Sequence, residues 1–283
     1  MSAELRRIDG RPVLRFERLL RHSPAKVWRA VTEPAELKHW FPAEVEIDGK
    51  AMRFAFPDSA SDGEVLELDP PRVFAFRWNT DVLRFELLPH DEGCLLVFTH
   101  VLGAEHSAGR TAAGWDTCLA ALEARLADRP FEQPTAWLGP MERYVRRFGL
   151  DEGRVDGRDV RFVRDLVWKP LDEVWELFTG GAAGLPARAA NPHVPPGPVT
   201  AVEPPRLLEF DSPTGRVRWE FRHDPEQGTT VELTHTVEDP AFVPTALAAW
   251  HVHLERFFAA TFGETDRPWP AERVAELTER YGS

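Results

Sequence analysis

The feature that most limits what this chain can become is an internal repeat. The stretch GEVLELDPPRVFAF at 63–76 returns as GPVTAVEPPRLLEF at 197–210, 134 positions later. Arg84 and Glu86 return as Arg218 and Glu220 at the same spacing. Thr99, His100 and Trp115 return as Thr234, His235 and Trp250 at a spacing of 135. Upstream, Phe16 matches Phe162 at 146 and Trp28 matches Trp175 at 147. Ordered matches at a near-constant period mark a duplicated structural unit. The fall from 147 to 134 takes about a dozen residues out of the second copy, between its first helix and the Pro-Pro motif. A chain of 283 residues is long enough for two domains at roughly 100–200 residues each. The polar, Gly-containing stretch 151–157 places the boundary, giving domains 1–150 and 151–283.

One copy reads as α+β. Residues 13–21 suit a strand. Ser23-Pro24 starts a helix, because Ser is a good N-cap and Pro fits the first helical position. That helix carries Val27, Trp28 and Val31 and is broken by Pro34; a second short helix carries Leu37, Trp40 and Phe41 to Pro42. Strands are predicted at 45–47, 52–56, 63–68, 72–78, 83–88 and 94–101, with turn signals at Asp48-Gly49, Asp69-Pro70-Pro71 and Asp91-Glu92-Gly93. Consecutive strands on short turns imply an antiparallel meander. Trp115, Leu119, Leu122 and Leu126 form one apolar stripe at helical spacing, repeated by Trp250, Leu254, Phe257 and Thr261. A sheet with one apolar face needs a cover, and this helix supplies it. Amphipathic segments 140–148 and 271–281 close the two copies. In the second copy the Gly- and Pro-rich stretches 180–186 and 192–198 read as loop, where the first has its second helix and two strands.

Net charge is −12, which argues against nucleic acid and anionic lipid as partners. Cys94 and Cys118 form no CxxC pair and read as reduced packing residues. The first residues lack the apolar core of a signal peptide, and no apolar run approaches the roughly 18 residues of a membrane span. The expectation is a cytoplasmic protein with no nucleic acid or membrane partner. A duplicated unit can bury its own interface, so a monomer with intramolecular domain packing is expected.

The order strand, helix pair, antiparallel meander, long helix resembles the SRPBCC (START-like) superfamily. Within it, the chain is similar to the family of the activator-of-heat-shock-chaperone-ATPase C-terminal domain. The residues that carry this are PAKVW at 24–28, LKHWF at 37–41, the stretch 63–78, Thr99-His100 and Gly114-Trp115. The resemblance covers about 15–126, and 161–262 in the shortened copy. It implies two tandem helix-grip units, each a curved antiparallel sheet wrapped around a long C-terminal helix with a cavity between them. Members bind hydrophobic small molecules, act as polyketide cyclases or hydrolases, or bind protein partners, and the fold does not choose among these.

Strand alternation turns His100 and His235 inward, with Leu96 and Phe98, and Val231 and Leu233. An inward His could be a general base or a ligand contact; its presence in both copies favours a structural hydrogen bond. The aromatics of the first copy, Trp40, Phe41, Phe54, Phe56, Phe74, Phe76, Trp78 and Phe98, could line a pocket for an apolar ligand or fill a core. Trp40, Phe41, Phe54 and Phe56 have no counterpart in the second copy, which makes them the better pocket candidates. Asp116 and Glu123 lie off the apolar stripe and read as a solvated face. His251 and His253 stand two apart on a helix, where a zinc pair wants four, so no metal is expected, and no cofactor or catalytic set either. The leading expectation is a non-catalytic binding protein with a hydrophobic small-molecule cavity in the first domain, lined by those eight aromatics and His100. The alternatives are a co-chaperone-like protein-interaction module and a cyclase- or hydrolase-like enzyme using His100.

Overall fold

Ser23 sets the first helix. Its Oγ accepts from the Lys26 backbone N–H at 3.3 Å, and Pro24 occupies the first helical position, where its missing N–H is no loss. The computed structural model describes residues 3–57, 59–180 and 191–283, and the chain divides into two compact units, Met1–Tyr144 and Val145–Ser283.

The first unit begins with strands β1 (Glu4–Ile8) and β2 (Arg11–Leu20), then helices α1 (Pro24–Thr32) and α2 (Pro34–Leu37). Six strands follow: β3 (Glu44–Asp48), β4 (Ala51–Ala55), β5 (Ala60–Asp69), β6 (Val73–Trp78), β7 (Asp81–His90) and β8 (Gly93–Val101). Helix α3 (Ala108–Leu126) comes next, and α4 (Leu138–Phe148) runs across the division between the units. The eight strands form one antiparallel sheet in the order β1-β2-β8-β7-β6-β5-β4-β3. The predicted meander is therefore present, each predicted strand within a few residues of its expected place.

Two expectations need correction. Strand β1 was absent from the sequence reading. It is short and mostly exposed, so it carries little alternation, but it pairs with β2 through Asp9-Gly10, both at positive φ as the tightest hairpin turn demands. The second helix stops at Leu37. The Trp40 and Phe41 N–H groups both bond the Leu37 carbonyl, so these two rings are placed by a turn and not by a helical face.

The second unit holds β9 (Arg154–Asp156), β10 (Asp159–Asp165), α5 (Leu171–Thr179), β11 (Val199–Glu203), β12 (Leu207–Ser212), β13 (Gly215–Asp224), β14 (Gly228–Val237), α6 (Val243–Thr261) and α7 (Ala271–Gly282). Its sheet is also antiparallel, ordered β11-β12-β13-β14-β10-β9. Six described strands stand where the first unit has eight, and among the described residues no pair matches β3 and β4. Of the predicted loops, Gly180 ends α5 in the left-handed conformation and 181–186 lie outside the described residues. Residues 192–198 carry no strand beyond a single bridge of Asn191 with Val194.

In both units the long helix supplies the cover the sheet needs. Trp115, Leu119, Leu122 and Leu126 are all buried, as are Trp250, Leu254 and Phe257. Burying a large apolar side chain of this kind stabilises by about 1.5–3 kcal/mol. Among the described residues, no helix is long and apolar enough to cross a membrane.

Candidate functional site

The aromatics singled out in the first unit do meet, and they meet one another. Phe41 lies at the centre, with ring centroids 5.6 Å from Trp40, 6.0 Å from Phe54, 6.2 Å from Phe76, 5.7 Å from Trp78 and 5.6 Å from Trp115. Phe54 stacks on Trp78 at 4.6 Å, and Phe98 meets Trp115 edge-on at 4.6 Å. Offset stacks and edge-to-face pairs at such distances add to the area they bury. Gly63 makes the Phe54 stack possible: a Cβ there would come within 2.6 Å of the Phe54 ring and 2.3 Å of the Arg77 carbonyl oxygen. Trp40 satisfies its indole by donating Nε1–H to the Ala30 carbonyl at 2.8 Å.

Trp40, Phe41, Phe54, Phe74, Phe76, Phe98 and His100 are all buried. Phe56 and Trp78 are half-buried and stack on each other at 5.8 Å, and Trp78 donates its indole N–H to Ser61 Oγ at 2.7 Å. The set thus has a closed inner part and a rim. Sequence reasoning missed Phe85, which joins Trp40, Phe76 and Phe98 into the same cluster. Its alternation with Leu83 and Leu87 on β7 was the available signal.

His100 points inward as expected, and both its ring nitrogens are engaged. Nδ1 accepts the Trp115 indole N–H at 2.8 Å, which leaves the proton on Nε2, facing Asp81 Oδ2 at 2.7 Å. In the second unit the Trp250 indole donates to His235 Nδ1 at 3.1 Å. Among the described residues the other nitrogen faces a hydroxyl and not a carboxylate, Thr214 Oγ1 at 3.3 Å, and burial pulls the His235 imidazole down to about 4. The same Trp–His bond pins the long helix to the last long strand of each sheet.

Residues 21–127 match the family model described as Activator of Hsp90 ATPase homolog 1-like protein. The first unit is similar to that family. The conserved protein of unknown function EF2215 from Enterococcus faecalis aligns at 23% identity over 52% of this chain and 90% of its own, with a TM-score of 0.47. CalU16 from Micromonospora echinospora aligns at 20% over 52% and 94%, with a TM-score of 0.42. The Aha1 dimer structure from Colwellia psychrerythraea aligns at 20% over 40% and 95%, with a TM-score of 0.36. No curated protein matches the chain.

The stretch matching the Activator of Hsp90 ATPase homolog 1-like family runs from just before α1 to just past α3, so it takes in the whole aromatic cluster. Of the polar residues around it, the two acids on α3 differ from expectation and the two cysteines agree with it. Asp116 and Glu123 are not simply solvated: Arg18, from β2, pairs with them at 2.6 and 3.3 Å, and Tyr144 donates its hydroxyl to Asp116. Both cysteines are free, and burial pushes the Cys118 thiol up to about 12, far from the range of a reactive thiolate.

The second unit fills its interior in its own way. Phe178 of α5 packs on Trp219 at 4.7 Å and Phe221 at 5.1 Å, and Trp219 meets Trp250 edge-on at 5.6 Å. A surface cleft of about 490 Å³ opens beside it, lined by Pro170, Leu171, Arg206, Phe221, Arg222 and His223.

A buried polar cluster in this unit was missed altogether. Asp151, His251 and Glu255 bring one ligand-type atom each within 4.8 Å of one another. His251 Nε2 stands 3.4 Å from Asp151 Oδ2 and 3.6 Å from Glu255 Oε1, while its Nδ1 is 2.9 Å from the Tyr281 hydroxyl. Arg273 donates to Glu255 Oε1 at 2.6 Å. Burial pushes the Asp151 carboxyl up, but His251 beside it outweighs that and holds it below the usual range. The helical pair is legible in the sequence as His251 and Glu255, four apart on α6.

Proposed function

We propose that this protein is a non-catalytic binding module whose first unit takes a flat apolar ligand at the open end of its aromatic stack. The fold is compatible with a ligand-binding or a co-chaperone-like module. The observation that carries the ligand reading is the gradation along one stack of rings. Phe54 is fully buried, Trp78 stacks on it and is half-buried, and Phe56 stacks on Trp78 at the rim. A ligand ring can extend such a stack without displacing the inner core, and Ser61 and the Trp78 indole offer a polar edge beside it. His100 has no free lone pair with which to act on a substrate, since Nδ1 is taken by Trp115 and Nε2 carries the proton facing Asp81.

The test is native mass spectrometry of the protein purified from its own host, followed by small-molecule analysis of what it releases. The expected result is a reproducible apolar adduct that Phe56→Glu abolishes while the melting temperature stays near the parent's. An adduct unaffected by Phe56→Glu, or none after enrichment with flat apolar probes, overturns the reading.

A second reading is a protein-interaction module, and the matched family model is what favours it, because its description is of an activator of a chaperone ATPase. It expects a stable partner in pull-down from the host that survives Phe56→Glu.

A further inference from the structure

We infer that Asp151, His251 and Glu255 form a structural binding site for a divalent transition-metal cation of the zinc type. His251 and Glu255 are four apart on α6, so they share one face a turn apart. Asp151 arrives from the stretch after α4. Gly153, two residues on, lets the chain press close: a Cβ there would stand 2.4 Å from the Phe162 ring and 2.6 Å from Leu247 on α6. All three residues are buried.

Distances then separate a hydrogen-bonded triad from a coordination site. A charge-assisted bond between imidazole and carboxylate runs at about 2.7–2.9 Å. The separations here are 3.4 and 3.6 Å, and His251 Nε2 makes no hydrogen bond. Ligand atoms bound tetrahedrally at about 2.0–2.1 Å stand about 3.3–3.4 Å apart. His251 Nε2 is therefore aimed between two carboxylate oxygens at the edge length of a zinc tetrahedron. One imidazole and two carboxylates are a donor set that borderline cations such as zinc accept, with a fourth position for water.

The surroundings supply what a metal-bound His and Glu require. Nδ1 of His251 can donate to the Tyr281 hydroxyl at 2.9 Å, fixing the tautomer that leaves Nε2 to bind metal. Arg273 holds Glu255 Oε1 from the outside. Both partners sit on α7, which is seated on α6 by Ala248, Val252, Val274 and Leu277. A cation here would fasten the stretch after α4 and helix α7 to the same turn of α6. Two guanidiniums oppose it, that of Arg273 at Glu255 and that of buried Arg164 on β10, which acts on Asp151.

The experiment uses the whole chain, stripped with chelator and titrated with Zn²⁺ by calorimetry and with Co²⁺ by visible absorption. Expected are one equivalent bound, a raised melting temperature, and a four-coordinate Co²⁺ spectrum. Asp151→Asn and Glu255→Gln should each weaken binding by about tenfold or more, and Arg273→Gln should tighten it. Circular dichroism checks that each variant is folded; where one is not, His251→Gln replaces it. No uptake at a several-fold molar excess of either metal overturns the site, as does uptake that all these variants leave unchanged. So does an imidazole Nε2–H signal from His251 that persists after metal is added, which would make the cluster an ion-paired histidinium. None of these readouts depends on the apolar ligand of the first unit.

Discussion

The two units solve one packing problem with different materials. In the first, an eight-stranded sheet and the α1–α2 turn bring Trp40, Phe41 and Phe54 together under α3. In the second, whose described sheet has six strands, Phe178, Trp219 and Phe257 pack together in the interior. What both retain is the Trp–His bond between long helix and sheet, at 2.8 and 3.1 Å. The lesson is that the helix anchor is common to both units, while the Phe54–Trp78–Phe56 stack has no equivalent among the described residues of the second. That is why a ligand is sought in the stack and not at the histidine.

The largest effect is expected from Phe54→Ala. Phe54 is fully buried on β4, a strand without an equivalent in the second unit's described sheet. A cost of about 3–5 kcal/mol is expected, confined to the first unit in hydrogen exchange. Equal loss of protection in both units would mean that the stack is not a local feature. Next come the anchors. Trp115→Phe and Trp250→Phe keep a ring and delete the bond to His100 or His235, leaving a buried Nδ1 without its donor. Each should cost about 1–3 kcal/mol by denaturant titration, in its own unit.

Acid should separate the units further. The folded pKa of His235 is about 4, below its ordinary 6.5, so the unfolded chain takes up the proton first as pH falls. This contribution is whole above about pH 6.5 and shrinks as pH drops toward 4, with a limiting slope of about 1.4 kcal/mol per pH unit. Melts between pH 7 and 4.5 should show the second unit losing stability, and His235→Asn should lessen the slope without abolishing it, because burial also pulls the His253 imidazole down, to about 3. The smallest effect concerns the outer face. Arg84 pairs with Glu67 and Glu86, and Arg218 with Glu209 and Glu220, all partly exposed. Alanine at either arginine should cost no more than about 1 kcal/mol, and less in high salt.

Much of the architecture was legible because it rests on local period. The α3 stripe from Trp115 to Leu126, the Ser23-Pro24 start and the alternating strands are written in neighbouring residues. So was the inward turn of His100. Harder to read was whether the aromatics line a space or fill one, since composition is the same in both cases. Only the placement of Phe41 by a turn, and of Phe85 between Trp40 and Phe98, decides how closely the rings approach. Arg18 reaching Asp116, and Asp151 reaching His251, were out of reach for another reason. Each joins residues about a hundred positions apart, and charge alone does not say which distant partner will be beside it.

The irregularity in β5 has a consequence for how such a protein can shorten. Its register with β6 shifts between Val65 and Glu67, and β11 shifts against β12 at the matching step, between Val199 and Ala201. In the first unit β5 is flanked on both sides, so the shift serves only local shape. In the second, β11 pairs on one side only among the described strands, and Val199 and Val202 lie exposed on it. A flat strand in that position would be a template for other chains, whereas a kinked one, with Pro198 before it and Pro204-Pro205 after it, is a poor one. A sheet that carries its kink in an interior strand can give up its outer hairpin at less risk of edge pairing, because the strand laid bare is already a poor template.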